Sequence, residues 1–185
     1  VVDYTGSSKQ AKGPINATLG VAWSAAFNAI LHMTDETIPL NSGCFRPIRV
    51  IAPAGTVMNV DYPGSEVGGN TETHPLIVSA IFGAMVECVP NRVMASEGTT
   101  HGCFVFGGHD ELNDEPYGGF DFSYVGYGGR SFADGNDATD SINGNCANTP
   151  MEVFETRFPW IVEEYALRPN SGGAGKFRGG LSNVK

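Results

Sequence analysis

The sequence predicts an α+β fold with a mixed sheet, two main buried helices and long glycine-rich loops. Three observations predict it. Helix-period and strand-period stretches alternate irregularly, not as a regular βαβ array. Glycine supplies 25 of 185 residues, near twice the usual share of about 7%, so much of the backbone must turn. Apolar residues make up 41% and charged ones only 17%, which is enough for a core but leaves a surface that leans on a neighbour.

The elements follow in chain order. Val1 to Tyr4 is strand-like from the first residue, so the chain is expected to be a piece of a longer one. Thr5 to Ser8 is a turn, and Gly13-Pro14 a second break. Asn16 or Thr18 is placed to cap a helix running to Leu31. Its apolar residues cover almost every face, so it is expected to be buried on most sides. A loop is expected over 39–43, strands over 46–53 and 57–62, and a flexible loop over 64–69. The clearest helix lies between Pro75, which suits a first turn, and Pro90, which ends it. Thr73 or His74 would cap it, and Ile77, Ile81, Ala84, Met85 and Cys88 form one stripe. Strands bracketed by glycine are expected over 102–108 and 120–125. Residues 126–149 lack periodicity, and a run this long is either a functional loop or a region packed on another chain. A helix over 150–158, capped by Thr149, a strand over 160–167 and a glycine-rich tail over 170–180 complete the chain.

Composition excludes several function classes. The net charge is −9, with 20 acidic against 11 basic residues. No basic cluster exists for nucleic acid, and anionic membrane surfaces are disfavoured. No apolar run is long enough to span a bilayer. Cys44, Cys88, Cys103 and Cys146 show no paired spacing. Reduced thiols in a cytoplasmic protein are expected, with Cys44 and Cys88 as small core hydrophobes.

Four stretches carry candidate chemistry. Asn170 to Lys176 fails as a nucleotide loop, because Asn170 and Phe177 stand where that pattern needs glycine and Ser/Thr. Gly68-Gly69-Asn70-Thr71-Glu72-Thr73-His74-Pro75 runs into a helix start, where free N–H groups attract anions and Asn70, Glu72 and His74 come together. Helix capping is the alternative. His101, Cys103, His109 and Asp110 are metal ligands by residue type, but their spacing fits no standard site and a strand edge with incidental polar residues is the favoured reading. Arg130, after Gly126-Tyr127-Gly128-Gly129, either grips a carboxylate or phosphate or pairs with a surface acid. Asn16-Ala17-Thr18 is formally a glycosylation sequon, set at a helix start expected to be buried.

Six blocks, in order, resemble the C-terminal part of the B-type subunit in the hydantoinase B/oxoprolinase family. They are Asp3-Tyr4-Thr5-Gly6-Ser7-Ser8-Lys9-Gln10 with Gly13-Pro14-Ile15-Asn16; Arg46-Pro47-Ile48 with Ala52-Pro53-Ala54-Gly55-Thr56; and Gly69-Asn70-Thr71-Glu72-Thr73. Gly128-Gly129-Arg130 with Asp134-Gly135, Asn148 to Glu155, and Tyr165 to Gly175 with Arg178-Gly179-Gly180 follow. The chain departs from the family pattern at Lys9, where proline is usual, at His74-Pro75-Leu76, and at Asn170, where aspartate is usual. The resemblance implies one segment, 1–185, of a larger subunit. It implies part of an ATP-dependent cyclic-amide hydrolase acting on a substrate phosphorylated by a hydantoinase A-like partner subunit. The alternatives it leaves are a B-type subunit of an ATP-dependent ketone carboxylase, and a non-catalytic contact segment of either. ATP and Mg would sit on the partner, and a divalent metal in the N-terminal half of the B-type subunit, with no metal or cofactor in this segment. Near the substrate the resemblance points to Asn70, Glu72 and Arg130, with Asn148 and Glu152 as loop-shaping contacts. The segment alone is expected to be inactive.

Overall fold

The first helix begins where Thr18 accepts the Val21 N–H at 3.3 Å, one of the two caps expected. In the computed structural model, which describes residues 1–184, the order is β1 (Val2–Asp3), α1 (Leu19–Met33), α2 (Ser42–Phe45) and β2 (Val50–Ile51). One π-helical turn (Gly69–Thr73) then runs into α3 (His74–Met85), followed by β3 (Cys103–Asp110), β4 (Glu115–Phe122), α4 (Met151–Arg157), β5 (Ala166–Leu167) and β6 (Asn183–Val184). The α+β class holds. The strands do not merge into one mixed sheet; β1 pairs with β2 in parallel, and β3–β4 and β5–β6 pair antiparallel.

The core is the contact between α1 and α3. Ala22, Ala25, Ala26 and Ala29 are fully buried and lie on one helical stripe. Their small side chains let Ile77, Val78 and Phe82 of α3 approach closely, with Val93 closing the cluster. Each large apolar side chain buried there contributes about 1.5–3 kcal/mol. The rest of α1 is less covered than its composition suggests: Leu19 is 37% and Trp23 45% exposed. The stripe is narrow because the fully buried residues of α1 are all alanines.

Helix α3 stops at Met85, short of Pro90, where the Cys88 and Val89 N–H groups both turn back to the Met85 carbonyl. Cys88 and Ala84 are therefore exposed, and Cys44 is only half-buried, so neither cysteine is a core residue. Thr73 does not cap α3; its hydroxyl donates to the Ile15 carbonyl. His74 is the first residue of the helix.

Several strands are shorter than the pattern predicts. Pro47 and Pro53 remove ladder donors, and the 46–53 strand shrinks to β2. Residues 57–62 form tight turns, closed by Asn59 N–H to Thr56 O at 3.1 Å and Gly55 N–H to Asn59 O at 2.9 Å. Asn41 caps α2 inside the expected 39–43 loop, and Phe45 stacks on Phe27 at 4.6 Å. Only 166–167 of the 160–167 stretch is strand, because Trp160 N–H turns back to Phe158 O at 2.7 Å. That turn lays the indole against Phe104, Phe106 and Phe154, with Nε1 donating to the Tyr117 hydroxyl at 3.2 Å. Pro150, not Thr149, occupies the cap position of α4.

The aperiodic 126–149 stretch packs on the chain's own tail. Gly180 N–H bonds Tyr127 O at 2.8 Å, Gly135 N–H bonds Arg178 O at 2.8 Å, and Ala138 N–H bonds Leu181 O at 2.7 Å. Glycine is required at the closest approaches: a Cβ on Gly128 would lie 1.8 Å from Ala95 O. Arg178 locks the pair through Asp137, at 2.9 Å, and Asp134, at 3.7 Å. Among the described residues no helix is long and apolar enough to cross a membrane.

Candidate active-site turn and its buried support

Two of the motif blocks meet at the π-helical turn. The Asn16 side chain is fully buried; its Oδ1 accepts from Ala11 N–H, and its Nδ2 donates to Ala11 O, Gly13 O and Ser65 O. A side chain so committed is closed to glycosylation. Gly69 lies so near this loop that a Cβ would sit 2.3 Å from Asn16 O. Gly68 N–H bonds Pro14 O and Gly69 N–H bonds Glu66 O. These donors are spent, so the loop is not an open anion cradle. What it presents is the side chains of the turn itself.

Asn70 heads the turn. Its backbone O and its Oδ1 both accept from Asn143 Nδ2, at 3.0 and 3.2 Å. Asn143 Oδ1 lies 3.1 Å from His101 Nε2, and His101 Nδ1 lies 2.7 Å from Asp140 Oδ1. His101 and Asp140 are buried, at 4% and 8% exposure. Asp140 is itself fixed by the N–H groups of Ser141 and Cys146. His101 N–H also bonds Thr71 O at 3.1 Å. The turn is thus gripped by a buried imidazole–carboxylate pair acting through one amide. Both ring nitrogens of His101 face protein groups, so this histidine positions and does not attack. Asn70 Nδ2 is left without a partner among the described residues, on an exposed side chain.

The surroundings are polar and closed. Glu97 is buried, accepts from Ser141 Oγ at 2.6 Å and meets Ile142 N–H at 3.2 Å. Burial pushes its pKa up, while those hydrogen bonds hold it down. His74, one turn after Asn70, is 2% exposed and reaches Ser24 Oγ at 3.4 Å. Its pKa is pushed down to about 4 by burial and by the neighbouring His101. Cys103 is exposed beside Thr71 and Glu72; partial desolvation of its thiol and the Glu72 charge raise its pKa, which leaves it a poor thiolate nucleophile.

The sequence-predicted residues separate into four places. Asn70 and Glu72 share the turn. Arg130 lies elsewhere, its Nη2 donating to Asp134 O at 3.2 Å and Asn136 Oδ1 at 3.4 Å. Asn148 donates to the Tyr165 hydroxyl, which also accepts from Asn183. Glu152 is exposed in the first turn of α4, beside Met151, which lines a cavity of about 430 Å³ with Phe104, Phe154 and Trp160. Glu97, Asp140, Ser141 and Asn143 escaped sequence reasoning; their one signal was a density of polar residues with no turn periodicity.

Among the described residues no three His, Cys, Asp or Glu side chains gather to hold an ion. His101 is turned toward Asp140 and Asn143, Cys103 is on the ribbon, and His109 pairs with Asp114 at the exposed hairpin end.

The comparisons agree with one another. The chain is 31% identical to the 5-oxoprolinase of Dictyostelium discoideum over 185 residues, which is all of this chain and 14% of that one. It superposes on the crystal structure of the ATP-dependent caprolactamase from Pseudomonas jessenii with a TM-score of 0.83 at 28% identity, over 96% of this chain and 32% of that one. An acetone carboxylase in a nucleotide-free state shares the fold, with a TM-score of 0.80 at 22% identity over 97% of this chain and 24% of that one. The chain spans a third or less of the length of the curated relatives it matches. The family model of hydantoinase B/oxoprolinase matches residues 1–185, and the chain belongs to the hydantoinase B/oxoprolinase family.

Proposed function

We propose that this chain is part of the B-type subunit of an ATP-dependent cyclic-amide hydrolase, and that the turn carrying Asn70 and Glu72 contacts the substrate. The observation that carries this reading is the buried support of the turn: His101, Asp140 and Asn143 fix an exposed Asn70 whose amide donor meets no acceptor among the described residues. A preorganised donor of this kind stabilises charge developing on oxygen at no reorganisation cost. Glu72, two residues on, supplies an acceptor for an N–H or hydroxyl. Arg130 is read as holding an anionic group from its separate place in the 127–132 loop, and Asn148 and Glu152 as shaping loops away from the turn.

On this reading phosphorylation of the substrate oxygen takes place on a hydantoinase A-like partner, which holds ATP and Mg. A divalent metal belongs to the N-terminal half of the B-type subunit. The assembly works in the cytoplasm. The 5-oxoprolinase and caprolactamase likenesses, both to enzymes named for cyclic amides, support hydrolysis over ketone carboxylation.

The test uses the complete two-subunit assembly with ATP and 5-oxoproline, hydantoin or caprolactam. Asn70→Ala and Glu72→Ala are expected to lower kcat/KM by about tenfold or more. Unchanged rate and affinity in both variants would leave this segment a structural contact module. Product formation from acetone and bicarbonate, but from none of the amides, would transfer the chain to the carboxylase branch. Turnover by the 185-residue chain alone would overturn the two-subunit view.

A further inference from the structure

A second site lies across the 140–143 segment from the turn. A cavity of about 280 Å³ is lined by residues of α1, α3, the 91–94 segment and the 127–132 loop. Phe82, Met94 and Ile142 supply apolar wall, and Arg92 and Arg130 face the same space. Ile142 and Asn143 are adjacent in the chain; the first lines this cavity and the second grips Asn70.

Its charge is unusual for this molecule. Acidic residues outnumber basic ones 20 to 11, yet the ion pairs among the described residues use Arg178, His101 and His109, and neither Arg92 nor Arg130. Arg92 gives Nη1 to Thr34 O at 3.3 Å, and Arg130 spends only Nη2. A guanidinium carries five N–H donors in a fixed fork, so most remain for a ligand. Arg92 also borders a separate depression with Asp35 and Glu36, where its charge helps hold the Asp35 pKa down without a direct ion pair among the described residues. Arg130 is held in place by its own N–H to Ala133 O at 2.8 Å and by the Phe132 ring, 5.4 Å from the guanidinium. Preorganisation of this kind lowers the ordering cost of binding.

We infer that this cavity binds an amphipathic anion: a carboxylate or phosphate head, held by Arg92 and Arg130, on a compact apolar body lying against Phe82, Met94 and Ile142. The volume matches about nine water-sized groups, at the small end of ligand pockets. The inference extends the proposed placement of Arg130 near the substrate, and supplies the second arginine and the apolar wall.

The full chain, labelled at Met and Ile methyl groups, is titrated by NMR with hexanoate, hexyl phosphate, hexanol and inorganic phosphate. Hexanoate, hexyl phosphate or both are expected to shift the Met94 and Ile142 methyl signals, the tighter of the two identifying the head group. Hexanol and inorganic phosphate are expected to bind at least about tenfold more weakly. Arg92→Ala and Arg130→Ala should each weaken binding by about tenfold or more; Arg92→Lys and Arg130→Lys, which keep the charge, should weaken it less. No methyl shift with either amphiphile, or hexanol binding as tightly as the tighter of the two, overturns the inference. Should an alanine variant fail to fold, the lysine variants and the hexanol comparison decide. The titration needs neither ATP nor a partner, so its failure leaves the turnover assay standing, and an inactive assembly leaves the titration standing.

Discussion

Acid should unfold this protein through His74. The ring is buried, and its pKa lies at about 4 instead of the ordinary 6.5, first because burial disfavours the cation and then because His101 is near. Between pH 6.5 and about 4 the unfolded chain takes up a proton here that the folded chain refuses. Stability from this residue is therefore complete above the unfolded value and declines as pH falls through that window. The displacement is worth about 3 kcal/mol. Glu97 opposes it. Burial raises its pKa above 4.5, so the folded state keeps that proton longer and stability is lost as pH rises through the raised value. The raw profile mixes the two, and a variant separates them. His74→Gln keeps a hydrogen-bonding group toward Ser24 and does not titrate. Urea unfolding free energies measured from pH 7.5 to 4 should show wild type losing about 2–3 kcal/mol more than this variant. Parallel profiles would refute the reasoning, because they would mean the ring is protonated in the fold without penalty.

Other expectations follow from single contacts. Gly128→Ala places a Cβ 1.8 Å from Ala95 O, with backbone on both sides, and should cost more than about 3 kcal/mol; Gly173→Ala, which meets nothing within 4 Å, should leave the melting temperature nearly unchanged. Thr18→Ala removes the acceptor for Val21 N–H and should lower stability by about 1 kcal/mol, read from the urea midpoint. Arg178→Gln breaks the contacts to Asp134 and Asp137 and should speed amide exchange at Gly135, Ala138 and Leu181; unchanged exchange there would show that the glycine packing holds the loops unaided.

The parts of the fold legible in the sequence were those set by local chemistry. Thr18 and Pro75 announced α1 and α3, and the strand-like run at 102–108 announced β3, because caps, turns and periodicity act over a few residues. The short strands were misjudged because β1, β2, β5 and β6 are defined by partners far along the chain, not by their own alternation. The 126–149 stretch looked structureless for a related reason. Its order comes from backbone bonds to residues 178–181, and main-chain contacts leave no pattern of side-chain types beyond the glycines that permit them. The site divides in the same way. Asn70 and Glu72 stood out because the G-N-T-E-T block is contiguous. Asp140 and Asn143 lie some seventy residues downstream, and only the fold brings them under the turn.

The 140–143 segment is where the two candidate sites become one problem. Consecutive residues alternate in allegiance: Asp140 meets His101, Ser141 meets Glu97, Ile142 lines the arginine cavity, and Asn143 holds Asn70. Ile142 is further pinned on both backbone groups, its N–H by Glu97 and its carbonyl by Asn28 Nδ2 of α1 at 3.4 Å. A segment held at every residue has little freedom to adjust on one side alone. A ligand that moves Ile142 must therefore strain the Asn143–Asn70 bonds or the Glu97 contacts, in a closely packed interior that does not deform continuously. Double-mutant cycles between Arg92 and Asn70 in the assembly test this coupling. Strict additivity would show the two sites to be independent, whereas an interaction energy above about 0.5 kcal/mol between side chains with no shared contact would place the 140–143 segment between them.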